Sequence, residues 1–150
     1  MLQEEILAEK AALQLIARAE QCSLGLARKL EKRKFTPACV DNVISRLVEL
    51  KLIDDKRFAT LWLESKLRLT RSPRQLLASL CRRGVDPKEA EAALKTVLDE
   101  DTELVLLDRF AKKHLRKAER KGEKGKSPLL YILKNEGFTR QAINRFLDDD

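Results

Sequence analysis

Ser72-Pro73-Arg74-Gln75-Leu76-Leu77-Ala78-Ser79-Leu80-Cys81-Arg82-Arg83-Gly84-Val85 carries a helix signal complete from start to stop. Ser72 suits the cap, Pro73 fits the first helical position, and Gln75 completes a capping box. Leu76, Leu77 and Leu80 recur at helical spacing until Gly84, a C-terminal cap. Asp86-Pro87-Lys88-Glu89 then starts a second helix by the same chemistry, with Ala90, Ala93, Leu94 and Val97 as its apolar stripe. No acidic residue occurs from Ser65 to Val85. The unit is a helical hairpin with a basic approach and an apolar inner face.

The hairpin recurs on either side. Phe35, Val85 and Phe138 occupy equivalent positions at offsets of 50 and 53 residues. Five residues before them lie Leu30, Leu80 and Leu133; nine before lie Leu26, Leu76 and Leu129. Val40, Ala90 and Ile143 follow at five residues, and Ile44, Leu94 and Leu147 at nine. Ordinary amphipathic periodicity gives leucines at such spacing, but not helix breaks in the same register. All four prolines follow a capping residue: Thr36-Pro37, Ser72-Pro73, Asp86-Pro87 and Ser127-Pro128. Each marks a helix start, and Thr139 supplies one without proline. The expected architecture is all-α, three tandem three-helix repeats at residues 1–51, 52–100 and 101–150. Phe35, Val85 and Phe138 should all face inward.

The first helix is expected over residues 4–21, with hairpin helices at 23–34 and 36–50. Asp54 or Asp55 can cap the next helix, whose stripe is Phe58, Leu61, Trp62 and Leu69. A long helix is expected from Thr102 to Lys121, with Leu104, Leu107, Phe110, Ala111 and Ala118 inward.

Composition narrows the function. The 150 residues are 43% hydrophobic and 37% charged, as suits a water-facing helical protein with a real core. No run of apolar residues is long enough to span a bilayer, and the acids of Gln3-Glu4-Glu5 stand where a signal peptide would carry cations. A cytoplasmic location without membrane partners is expected. Cys22, Cys39 and Cys81 are odd in number and widely spaced, which suits buried thiols in a reducing compartment rather than disulfides or zinc. His114 has no nearby partner set for acid–base catalysis, so a structural or surface role is expected. Lys124-Gly125-Lys126-Ser127 imitates the end of a P-loop, but Arg120 stands where the earlier glycine belongs. No catalytic site, metal or cofactor is expected.

The net charge of +7 is unevenly spread. Residues 28–34 carry +4, 65–85 carry +6 and 109–126 carry +7, while 86–108 carry −6. Such clustering fits a polyanionic partner, or a solvated helical surface.

Particular residues resemble a known family. Leu52-Ile53-Asp54-Asp55-Lys56-Arg57-Phe58-Ala59 resembles the "LDDxRFA" segment of the RecX regulatory proteins. Ser72-Pro73-Arg74-Gln75-Leu76 through Arg83-Gly84-Val85 is similar to that family's "GPxRI…L…KGI" continuation. Ala12 to Ala17 and Leu26 to Leu30 resemble its opening helices, and Leu130 to Phe138 its closing "L…GF" pair. The likeness spans roughly residues 12–148. Departures are Ala19, Cys22 and Gly25 where the family usually has Arg, Ser and Glu, Lys51 where it commonly has Gly, and Ser72 for Gly before the proline.

The resemblance implies a non-enzymatic modulator of the RecA recombinase, monomeric, elongated and curved, lodged in the groove of the RecA–DNA filament. DNA within the filament is a further expected contact. With the charge map, it points to a partner-binding surface of Arg68, Arg71, Arg74, Arg82 and Arg83 with Lys112, Lys113, Arg116 and Lys117. The competing reading is a helical-repeat protein binding DNA directly through a recognition helix. That helix, at 87–98, carries Glu89 and Glu91 against Lys88 and Lys95, and phosphate would repel it. A helical scaffold without nucleic acid leaves the clustered charge unexplained.

Overall fold

A computed structural model describes residues 2–122 and 127–148. Nine helices and no strand occur among them: α1 (Gln3–Arg18), α2 (Ser23–Lys32), α3 (Pro37–Glu49), α4 (Asp55–Lys66), α5 (Pro73–Arg83), α6 (Pro87–Val97), α7 (Glu100–Arg120), α8 (Ser127–Asn135) and α9 (Arg140–Asp148). The main helix–helix contacts fall within three triplets, α1–α3, α4–α6 and α7–α9. Side-chain packing is less evenly divided. Ala8, Ala12, Leu26, Leu30, Val40, Leu47 and Ile53 form one core in the first triplet. A second, continuous core joins the other two triplets through Leu76, Leu80, Leu106, Leu107, Leu133 and Phe138.

The middle helix of each triplet ends in the same turn. Phe35, Val85 and Phe138 donate their backbone N–H to Leu30, Leu80 and Leu133 at 3.4, 3.4 and 3.2 Å. The residues just before them, Lys34, Gly84 and Gly137, have positive φ of 74°, 120° and 90°. This is the Schellman motif, which satisfies the last carbonyls and turns the following apolar residue inward. Val85 and Phe138 are buried, and Phe138 meets the Phe110 ring at 5.5 Å between centroids. Phe35 is only half-buried. The turns at Gly84 and Gly137 are each covered by the N-terminus of another middle helix.

Successive middle helices meet end to end. A Cβ on Gly84 would lie 2.8 Å from the Gly25 nitrogen, and one on Gly25 would lie 2.8 Å from the Arg83 carbonyl. The α2 start is thus seated on the α5 end, with Cys22 Sγ donating to the Arg83 carbonyl at 3.2 Å. The α5 start is seated on the α8 end in the same way, Arg74 N–H donating to the Glu136 carbonyl at 2.9 Å.

Acidic residues near the starts of α1, α4 and α7 tie the array together. Glu4 accepts from Thr36 N–H at 2.7 Å and Glu103 from Thr139 N–H at 2.8 Å, each within its own triplet. Asp55 reaches across instead, accepting from Ser23 N–H at 2.7 Å, while Asp54 caps α4 through Arg57 N–H at 3.1 Å.

Several sequence expectations need correction. The first helix stops at Arg18, not at residue 21, because Gln21 turns back and its amide donates to the Leu15 and Ala19 carbonyls. Thr36 makes no side-chain cap; its own N–H donates to Glu4 instead. Leu61 is exposed, and Ala59 and Leu63 bury the α4 face. The long helix begins at Glu100 under an Asp99 cap, which rotates Leu106 into the core and leaves Leu104 half-buried. The P-loop-like residues 123–126 lie outside the described residues.

Candidate functional site

A groove of about 740 Å³ runs between α5 and α7. Its α5 side follows from the capping box: Ser72 Oγ accepts from Gln75 N–H at 3.1 Å, and Gln75 Oε1 accepts from Ser72 N–H at 3.0 Å. With the helix start fixed there, Arg74, Ala78 and Arg82 fall on one face at helical spacing, and Arg71 joins them from the segment just before the cap. On the other side Phe110, Lys113, His114 and Lys117 share a face of α7 for the same reason. Arg109 anchors α7, its guanidinium donating to the Leu67 carbonyl at 2.5 Å and the Arg68 carbonyl at 3.3 Å. Those acceptors are orphan carbonyls just past α4, where a cation also suits the helix dipole.

Five of the nine sequence-predicted residues line this groove: Arg71, Arg74, Arg82, Lys113 and Lys117. They come from two stretches some forty residues apart, brought together by packing of the second triplet on the third. The other four lie outside the lining. Lys112 pairs with Asp108 at 2.9 Å, and Arg116 Nε donates to the Lys112 carbonyl at 3.3 Å. Arg68 and Arg83 are exposed, their backbone carbonyls accepting from Arg109 and Cys22. Sequence reasoning missed Glu136, which lies far from both basic stretches, and placed His114 only as a surface or structural residue.

The groove's cations have no ion-pair partner among the described residues. The ion pairs among the described residues all lie elsewhere, at Arg46–Glu9, Arg57–Glu20, Lys112–Asp108 and Arg145 with Glu100 and Asp101. Cations gathered without counterions raise the local potential and draw in anions. Among the described residues no group of His, Cys, Asp or Glu is placed to hold a metal. None of their helices is long and apolar enough to cross a membrane. Cys22 and Cys39 are buried free thiols, and burial raises both above the ordinary thiol pKa.

Fold and groove define an all-helical repeat protein with a cation-lined cleft and no enzyme-like constellation among the residues described. Comparison with known proteins gives the family. Residues 54–94 match the family model described as "RecX, second three-helix domain". The chain is 36% identical over 141 residues to "Regulatory protein RecX" of Treponema pallidum (strain Nichols), covering 93% of this chain and 83% of the relative. The crystal structure of RecX from Lactobacillus salivarius superposes with a TM-score of 0.79 at 19% identity, covering 99% of this chain and 97% of that one. A second structure, "Crystal structure of regulatory protein RecX", gives 0.80 at 16% identity, over 97% and 72%. At those identities the two structures establish the fold alone. The chain belongs to the RecX family of regulatory proteins.

Proposed function

We propose that this protein binds the RecA recombinase filament through the α5/α7 groove and restrains its recombination activity. The observation that carries the reading is the convergence of Arg71, Arg74, Arg82, Lys113 and Lys117 without an ion-pair partner among the described residues. Family membership supplies the recombinase as the partner. The groove's open cationic wall suits an acidic filament surface or the phosphates it carries, and phosphate contacts position a partner without reading sequence. Arg68, Arg83, Lys112 and Arg116 extend the positive field beyond the groove. In this reading the protein acts in the cytoplasm as a non-enzymatic monomer of three units, 1–51, 52–100 and 101–150.

Direct binding to bare DNA is the rival, and α6 weighs against it. Glu89 and Glu91 are exposed on the helix that would have to enter a DNA groove. Co-sedimentation with preformed RecA–DNA filaments, free RecA and bare DNA separates the two. Retention on filaments above both controls is expected; equal retention on bare DNA would move the assignment to the rival.

A further inference from the structure

Among the described residues Glu136 is the one carboxylate on the groove's wall, yet it pairs with none of the groove's cations. Its Oε2 instead accepts from Ser72 Oγ at 2.5 Å. Ser72 is fully buried, and its hydroxyl is engaged both ways: the proton goes to Glu136 and one lone pair receives Gln75 N–H. The backbones are tied at the same point, Arg74 N–H donating to the Glu136 carbonyl. Glu136 therefore sits beside Arg74 in sequence-distant contact, with its charged end turned to a hydroxyl rather than to the guanidinium.

We propose that the Ser72–Glu136 hydrogen bond keeps the groove cationic, by parking the wall's one carboxylate among the described residues away from the cations that receive an anionic partner. Without the hydroxyl, a carboxylate in this groove gains more from a charge-assisted pair with Arg71 or Arg74 than from water. One cation would then be spent internally. Ser72 is a positioning residue in this account, acting through Glu136, and Glu136 sets how much positive charge the groove presents. The inference rests on reading the groove as a polyanion site.

A purely structural role for the pair makes a different forecast. If Glu136 and Ser72 only join α8 to α5, removing either weakens the groove. If the pair parks a charge, the two removals act in opposite directions. Full-length protein, with Glu136→Gln, Glu136→Ala, Ser72→Ala and Ser72→Thr variants, is titrated with long-chain inorganic polyphosphate and with RecA–DNA filaments across a salt series. Glu136→Gln, whose amide oxygen still accepts from Ser72, is expected to tighten polyphosphate binding about two- to fivefold, the scale of one partly exposed charge pair. Ser72→Ala is expected to weaken it by a similar factor and to reduce the log–log salt slope by about one contact. Ser72→Thr keeps the hydroxyl and should restore both. Should Ser72→Ala fail to fold by circular dichroism, the two Glu136 variants decide: both tightening supports the proposal, both weakening overturns it. Wild-type protein that binds polyphosphate with this pattern but ignores filaments would overturn the filament reading and leave the parking role standing. Wild-type protein that binds filaments while the Glu136 variants bind both probes more weakly would do the reverse.

Discussion

Three equivalent turns offer a graded test of how the middle helices are joined. Lys34, Gly84 and Gly137 all adopt positive φ, at 74°, 120° and 90°. A side chain in the left-handed region costs about 1–2 kcal/mol, while glycine loses about 0.5–1 kcal/mol more backbone freedom on folding. Lys34→Gly should therefore stabilise the protein by about 0.5–1 kcal/mol. Gly137→Ala adds the strain and brings its Cβ 3.3 Å from the Arg74 nitrogen, a contact met by a small shift. Its net cost should be about 1 kcal/mol. Gly84→Ala combines a φ further from the left-handed well with a Cβ 2.8 Å from the Gly25 nitrogen, where the obstacle is backbone. Overpacking of that kind raises the expected cost to about 2–4 kcal/mol. Urea unfolding followed by circular dichroism reads the series, with midpoints compared at constant m-value. Equal costs at Gly84 and Gly137 would refute the end-to-end joint of α2 on α5, and a lowered midpoint for Lys34→Gly would refute the strain assigned to its positive φ.

Other expectations are simpler. Phe138→Ala should cost about 3–5 kcal/mol, because the ring is buried against Phe110 and Leu133; a loss under about 1 kcal/mol would displace it from the core. Asp55→Ala removes the cap on Ser23 and should cost about 1 kcal/mol, and a Ser23→Ala, Asp55→Ala double-mutant cycle should show the two effects to be coupled rather than additive. Asp99, held below the usual carboxylate range chiefly by the Thr102 N–H, caps α7. Since the folded pKa is depressed, its contribution is complete above the unfolded value of about 3.9 and fades as pH falls through the lower folded value. Carboxyl carbon NMR should find Asp99 titrating below the ordinary aspartate value, and Asp99→Asn should flatten the acid limb of the stability curve.

Local chemistry was legible wherever a residue acts on its near neighbours. The Ser72–Gln75 box, the proline starts of α3, α5 and α6, and the Leu30, Leu80 and Leu133 row all follow from spacing. What escaped depends on a distant partner. Asp54 and Asp55 looked like alternative caps for one helix, whereas each caps a different helix, since Asp55 reaches the α2 start. Gln21 looked helical, but its amide has two carbonyls to satisfy at the end of α1. Lys34 and Lys51 carry no glycine signal, yet both take the left-handed turn because the Schellman hydrogen bonds hold them there. The two basic stretches were visible as charge, while their division into groove and periphery depends on how α7 is clamped by Arg109.

The groove assignment is tested most directly by charge reversal at residues that do no packing. Arg74, Lys113 and Lys117 are exposed and line the groove from both sides. The measurement is filament binding by the Arg74→Glu, Lys113→Glu, Lys117→Glu triple variant and by wild type, using fluorescence anisotropy on RecA–DNA filaments over a salt series. Helicity and melting should stay close to wild type, while affinity falls at least tenfold at low salt and the salt dependence flattens. A folded triple variant that binds and restrains the filament like wild type at every salt concentration would contradict the assignment of this groove.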